Sequence, residues 1–180
     1  MIRALLKASI KRFGSRYNYD TRYMLYVADT STSAALRLST LPLYSQFSGP
    51  KAAQKVWAGA MLGSTLDGDC GPCVQLVVDM ALDADVPSNQ LALCLEGKAE
   101  EAGDVGLGFR FSQAAIADLP ELEELRADIE TRFGALAVAA ASFAASSGRV
   151  YPVLKRGLGF GATCSRVNIK NHTLPVFHQP

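Results

Sequence analysis

The sequence predicts an all-α, single-domain helical bundle, and three observations lead to this fold class. Apolar residues recur along most of the chain at the three- and four-residue spacing of one helix face. Alanine is abundant and runs of β-branched residues are few, which favours helices. We find no hairpin turn signal, no alternating strand pattern and no internal repeat. The 180 residues, 49% of them hydrophobic, suffice for one domain with a buried core.

The first half of the chain divides into four predicted helices. Each is an apolar stripe bounded by capping residues or by glycine and proline. Asp20 or Thr21 caps the second helix, and Pro42 is expected to strain the third. The ranges are about 2–13, 21–27 and 33–47, followed by a helix that starts after Ser48-Gly49-Pro50 and breaks at Leu66.

Four more helices are predicted in the second half. The first opens at Cys70 and runs to about Ala84, and the second is capped by Pro87-Ser88. A third amphipathic face spans 122–133. The fourth is a long apolar helix over 134–156, expected to bend at Pro152. No clear period follows Gly157.

The charge distribution suggests a division into three segments. The formal net charge is +1, which is no signature for binding nucleic acid. Residues 1–22, however, carry six basic side chains and one acidic one. We therefore expect a basic amphipathic arm over 1–30, a helical domain over 31–166 and a tail over 167–180. The arm is either a solvated helix face or a docking element.

The sequence also predicts a cytoplasmic location. No secretory signal is convincing at the start, and the most apolar stretch, 135–145, is shorter than the ~20 residues that span a bilayer. Thiols stay reduced in the cytoplasm, so a Cys-x-x-Cys pair there is a redox or metal motif. A tetrahedral zinc site usually needs two ligand pairs, and this chain has one Cys-x-x-Cys motif, so we expect no metal. We expect no organic cofactor either.

The chemically distinctive motif is Cys70-Gly71-Pro72-Cys73. At a helix start, unpaired N–H groups and the helix dipole stabilise a thiolate, which is the nucleophilic form. Asp67 and Asp69 would oppose this effect as anions, and they are either proton acceptors or turn-forming residues. Thioredoxins carry the same tetrapeptide after a β-strand, whereas residues 55–61 have helical spacing.

Histidine and the remaining cysteines offer few other site residues. His172 and His178 lie in the last nine residues, and His172 is a candidate proton acceptor that would have to fold back from the tail. A disordered tail is the alternative. Cys94 is interpreted as a small buried hydrophobe, and Cys164 is left unassigned.

Between about Pro42 and Arg166 the order of these features resembles the alkyl hydroperoxidase D-like and carboxymuconolactone decarboxylase superfamily. The specific motif is Asp69-Cys70-Gly71-Pro72-Cys73-Val74-Gln75-Leu76-Val77, with support from 111–114 (Phe-Ser-Gln-Ala) and 149–152 (Arg-Val-Tyr-Pro). Members with the cysteine pair are thiol peroxidases or disulfide reductases. The resemblance implies that Cys73 attacks the substrate and Cys70 resolves the intermediate, although the reverse order stays open.

Two positions depart from the peroxidase pattern. A histidine is expected four residues after the second cysteine, where this chain has Val77, and a glutamate twelve residues before the first, where it has Ala58. We therefore expect a Cys-x-x-Cys thiol oxidoreductase with a hydroperoxide or disulfide substrate and an external thiol reductant, working without the usual proton relay. The alternative is a non-catalytic binding or redox-sensing protein. A homo-oligomer is expected in either case.

Overall fold

The structure, a computed structural model, describes residues 2–161, 166–169 and 172–175. Helices make up most of these ranges, which confirms the all-α prediction. The helices are α1 (Ile2–Tyr17), α2 (Arg22–Thr30), α3 (Thr32–Ser45), α4 (Gln54–Asp67), α5 (Gly71–Asp83), α6 (Ser88–Leu95), α7 (Gly103–Ala117), α8 (Leu122–Phe133), α9 (Ala135–Ser147) and α10 (Val150–Gly157). Two short 3-10 turns, Lys51–Ala53 and Ala99–Glu101, precede α4 and α7.

Helix α4 lies at the centre of the bundle, where it packs against α5, α7 and α9. Its contact with α7 is close because glycines remove the side chains between the two helices. A Cβ atom on Gly59 would lie 1.9 Å from the carbonyl oxygen of Val105, and one on Gly108 would lie 1.8 Å from that of Val56. Helix α7 was not predicted as an element, since glycines lower helix propensity by about 1 kcal/mol each.

Two apolar clusters form the core on either side of the α4–α7 contact. One joins α4, α5, α6 and α7 and includes Leu62, Val74 and Leu91. The other joins α4, α7, α8 and α9, with Ile129 at its centre and alanines from α9. The small residues of α9 let it lie close to α4, so most of this apolar helix is covered by its own chain.

The prediction of one long helix over 134–156 is wrong. Helix α9 ends at Ser147 and α10 begins at Val150. Gly148 between them lies against α4, where a Cβ atom would be 2.7 Å from the Oγ of Ser64. Pro152 lies in the first turn of α10, where its missing N–H costs no helical hydrogen bond, so it does not bend a continuous helix.

The predicted tail contains a short antiparallel hairpin, which the sequence reading missed. Strand β1 (Arg166–Ile169) pairs with β2 (His172–Pro175), with Val167 opposite Leu174. Gln75 on α5 holds β1 from the side: its Oε1 accepts the N–H of Asn168 at 2.6 Å, and its Nε2 donates to the carbonyl of Asn168 at 2.9 Å. Val167 and Ile169 are buried in the core, which fixes the hairpin against the helices.

The first two helices of the predicted basic arm pack onto the bundle. Lys7 pairs with Asp29 at 2.8 Å and joins α1 to α2. Arg16 pairs with Asp83 at 3.0 Å and joins α1 to the end of α5. Of the helices in the described ranges, none combines the length and the hydropathy needed to span a membrane.

Candidate functional site

The cysteine pair lies where the chain turns from α4 into α5. Asp69, in the left-handed region at φ 53°, redirects the chain after α4 ends. Cys70 is the N-cap of α5, and its carbonyl oxygen accepts the N–H groups of Cys73 at 2.9 Å and Val74 at 3.0 Å. Pro72 fits the first turn because its ring angle suits a helix start. The prediction that Cys73 lies in the first turn of a helix is thereby confirmed.

Cys70 and Cys73 lie at disulfide distance from each other. Their Cα atoms are 5.2 Å apart, within the ~4.4–6.8 Å that a disulfide requires. Both residues are buried, with exposed fractions of 6% and 4%. A reacting molecule must therefore approach the sulfurs through a cavity or after local opening of the structure.

Such a cavity lies beside Cys73. It has a volume of about 270 Å³ and is bounded by residues of α1, α2, α3, α4 and α5, with Tyr151 from α10. Its wall is mainly apolar; Leu6, Ile10, Phe13, Met61, Leu76 and Met80 belong to it. Cys73 is part of the wall, whereas Cys70 is not among the described residues that line it. The amphipathic face of α1, taken as a feature of the basic arm, thus forms one side of the site.

The two positions that lack the family's relay residues also lie in this wall. Ala58 on α4 is 1% exposed, and Val77 on α5 is half-buried one turn after Cys73. Both line the cavity together with Cys73. The chain therefore presents methyl and isopropyl groups to the cavity where the peroxidase pattern has a carboxylate and an imidazole.

Each sulfur has a different polar neighbour. The hydroxyl of Tyr19 lies 3.6 Å from the Sγ of Cys73, and the Nζ of Lys155 donates to the Sγ of Cys70 at 3.8 Å. Burial raises the pKa of Tyr19 and lowers the pKa of Lys155. The sequence reading missed both residues, because they reach the site from α10 and from the link between α1 and α2.

Helix α10 is bound to the segment that precedes Cys70. Arg149 pairs with Asp67 at 2.7 Å, so this predicted proton acceptor is engaged in an ion pair. Arg156 donates to the carbonyl oxygen of Gly68. A Cβ atom on Gly68 would lie 2.8 Å from the Cγ of Pro152, so the turn and the helix are in direct contact. These contacts fix where Lys155 meets Cys70.

The structure places the remaining sequence-predicted residues as follows. The backbone N–H of Asp69 donates to Leu66 O at 3.0 Å in the turn before Cys70. His172 lies on β2, but its side chain is outside the described residues, as are His178 and Cys164. Cys94 is buried on α6, and burial raises its pKa to about 12, which suits the inert role predicted for it.

The described residues contain no group of three or more histidine, cysteine, aspartate or glutamate side chains that could hold a metal ion. Among the described residues, the groups that contact the two sulfurs include the phenol of Tyr19 and the amine of Lys155. Searches of protein-family models, of curated proteins and of solved structures find no match to this chain.

Proposed function

We propose that this protein is a Cys-x-x-Cys thiol oxidoreductase that reduces an apolar hydroperoxide through a dithiol/disulfide cycle of Cys70 and Cys73. One observation carries the proposal: Cys73, paired with Cys70, lies in the wall of an apolar cavity of about 270 Å³. A helix N-terminus favours the thiolate form of a cysteine in its first turn. The cavity accounts for substrate selection, because a mainly apolar wall favours an organic hydroperoxide over hydrogen peroxide.

The position of Cys73 in the wall supports its role as the attacking residue. Its sulfur attacks the outer oxygen of the hydroperoxide, the O–O bond breaks, and the alcohol leaves with the proton that the thiol gives up. Cys73 is then a sulfenic acid. Cys70 attacks the sulfur of Cys73, the S–S bond forms and water leaves. An external dithiol supplies the two electrons that restore both thiols.

The test is consumption of hydroperoxide by the full chain with dithiothreitol as reductant, using cumene hydroperoxide and hydrogen peroxide in parallel. We expect slow, protein-dependent turnover that is faster with cumene hydroperoxide. Cys73→Ser should abolish it, because the attacking sulfur is gone. Cys94→Ser is the matched control, since this cysteine is buried outside the site, and it should leave the rate unchanged. Turnover that survives in Cys73→Ser would contradict the proposal.

A second function, a non-catalytic redox sensor, is favoured by a specific observation. Ala58 and Val77 leave the cavity without an acid–base group at the relay positions, and both cysteines are buried. A sensor would form the disulfide on oxidation and reopen it with a thiol, but it would not turn over hydroperoxide. Mass spectrometry after mild oxidation separates the cases, because a loss of two hydrogens without catalytic turnover identifies the sensor.

A further inference from the structure

Lys155 is a buried cation beside the redox pair, and neither the family pattern nor the proposed chemistry above uses it. Its exposed fraction is 2%, and it belongs to the last turn of α10. The negative end of the helix dipole favours a cation there. None of the ion pairs found among the described residues includes Lys155. A buried ammonium without an anion is costly, so the group is either neutral or served by a partner that this oxidised form lacks.

The groups around Lys155 narrow the choice of partner. Its Nζ lies 5.0 Å from the ring centroid of Tyr19 and 5.6 Å from that of Tyr23, a cation–π arrangement that stabilises the charge but supplies no anion. Asp20 acts on Lys155 electrostatically, yet its carboxylate is paired with Arg22 at 2.7 Å. Among the described residues, Lys155 also has the Sγ of Cys70 at 3.8 Å, and this sulfur becomes a potential anion when the disulfide opens.

We propose that Lys155 is the counter-ion that holds Cys70 as a thiolate in the reduced protein. The inference rests on the dithiol/disulfide cycle proposed above and assigns the two cysteines different states. Cys73 is protonated at rest, faces the cavity and attacks as it gives up its proton to the leaving alcohol, whereas Cys70 waits as the resolving thiolate beside the ammonium. Lys155, which is not among the described residues that line the cavity, then replaces part of the relay that is absent at Ala58 and Val77.

The proton balance follows from this assignment. When the Cys70 thiolate attacks the sulfenic acid of Cys73, the S–S bond forms and hydroxide leaves. Lys155 gives up one proton, so the products are the disulfide, water and a neutral amine. Reduction by an external dithiol reverses the change: its two electrons break the S–S bond, one of its protons goes to Cys73 and the other to Lys155.

A counter-ion that acts on the reduced form has a thermodynamic consequence. Stabilising a thiolate stabilises the reduced state, which makes the disulfide a stronger oxidant. Removing the charge should therefore shift the equilibrium with glutathione toward the disulfide. We expect about a tenfold shift, equivalent to about 30 mV for this two-electron couple.

The first test measures the equilibrium of the Cys70–Cys73 disulfide with reduced and oxidised glutathione in Lys155→Met, Lys155→Arg and the wild type. Methionine keeps an unbranched chain of similar length, and arginine keeps the charge. We expect about a tenfold shift toward the disulfide for Lys155→Met and a near-normal equilibrium for Lys155→Arg. Lys98→Met is the matched control, because Lys98 is exposed and pairs with Glu96 at 3.2 Å. An equilibrium for folded Lys155→Met equal to that of the wild type would overturn the proposal.

The second test leaves Lys155 in place and does not depend on the folding of its variants. Thiolate absorbance at 240 nm is followed from pH 4 to 9 in the reduced protein, in a Cys164→Ser background. We expect one thiolate that forms well below the ~8.5 of a free cysteine, that is lost in Cys70→Ser and that persists in Cys73→Ser. A low-pH thiolate that is absent, or that disappears with Cys73 instead, would refute the assignment.

The two proposals fail in distinguishable ways. If the wild type opens and closes its disulfide but Lys155→Met matches it, the counter-ion is wrong and the cycle stands. If oxidation never closes the disulfide in the wild type, the proposed function fails. The thiolate titration still decides the state of Cys70 in that case.

Discussion

Introducing the two relay groups of the peroxidase pattern should speed the hydroperoxide reduction that we propose for this protein. The change is Ala58→Glu with Val77→His. Val77 lies one turn after Cys73 on α5, and Ala58 faces the same cavity from α4, so the two new side chains would enter the cavity beside the attacking sulfur. The imidazole would accept the proton of Cys73, and the carboxylate would orient the imidazole and favour its charged form.

The magnitude follows from what such groups contribute elsewhere. General acid–base assistance is worth ~10²–10⁴-fold in rate. We expect the lower end, about 100-fold or about 2.7 kcal/mol of barrier, because Tyr19 and Lys155 already lie beside the sulfurs. The substitution has a cost in stability, since Ala58 is 1% exposed and a carboxylate there loses its hydration. The cavity supplies room for both side chains.

The assay is kcat/KM for cumene hydroperoxide between pH 5 and 9, with folding checked by circular dichroism. The rate of the double mutant should rise with pH around ~6.5, where an imidazole loses its proton. Ala58→Gln with Val77→Asn is the matched control, because it adds polar groups of similar size that do not titrate in this range. A folded double mutant no faster than this control would refute the positional match to the peroxidase family.

Three further predictions concern the frame around the site. Gly108→Ala should lower the free energy of unfolding, measured in urea, by about 3 kcal/mol, because its Cβ atom would lie 1.8 Å from Val56 O. The control Gly157→Ala, which has open space around it, should change that free energy by no more than about 0.5 kcal/mol. Equal values for the two variants would contradict the close contact between α4 and α7. Burial raises the pKa of Tyr23, so the folded state keeps a proton that unfolded tyrosine releases near pH 10. Stability should therefore fall as pH rises above about 10, and urea unfolding should show a weaker fall in Tyr23→Phe; identical slopes would count against it. Sedimentation at micromolar concentration should show a homo-oligomer, as exposed Leu43 (81%) and Leu136 (54%) suggest, and a monomer would contradict this.

The start of α5 could be predicted because its determinants are local. Three of them lie within four residues. Asp69 breaks the preceding helix, Cys70 has an extended backbone as the N-cap, and Pro72 suits the first helical turn. Ser31 is a determinant of the same local kind, because its side chain accepts the N–H of Ala34 at the start of α3. We expected that helix to begin at about residue 33 and did not name Ser31 as its cap. Capping needs no knowledge of the rest of the fold, so a single sequence is enough to place it.

The break between α9 and α10 depends on tertiary structure and could not be placed in the same way. Gly148 has helical dihedral angles and lies so close to Ser64 of α4 that a side chain there would clash, a constraint that the local sequence does not show. Helix α7 forms although the sequence did not predict it. Its glycines lower helix propensity, but they permit the close contact with α4 that stabilises the helix in the fold. The meeting of Lys155 with Cys70, 85 residues apart, likewise carries no local signal.

The charges around Cys70 also differ from the sequence expectation, because residues distant in sequence supply them. Read along the chain, Cys70 follows two aspartates, and these anions would disfavour a thiolate. In the fold, α10 and the residue before it bring three cations to this segment: Arg149 pairs with Asp67, Arg156 binds the carbonyl of Gly68, and Lys155 reaches Cys70 itself. The charge of Asp67 is thus neutralised by Arg149, and in our proposal the ammonium of Lys155 faces the Cys70 sulfur. A helix 80 residues away in sequence, rather than the neighbouring residues, therefore sets the field in which the thiolate forms.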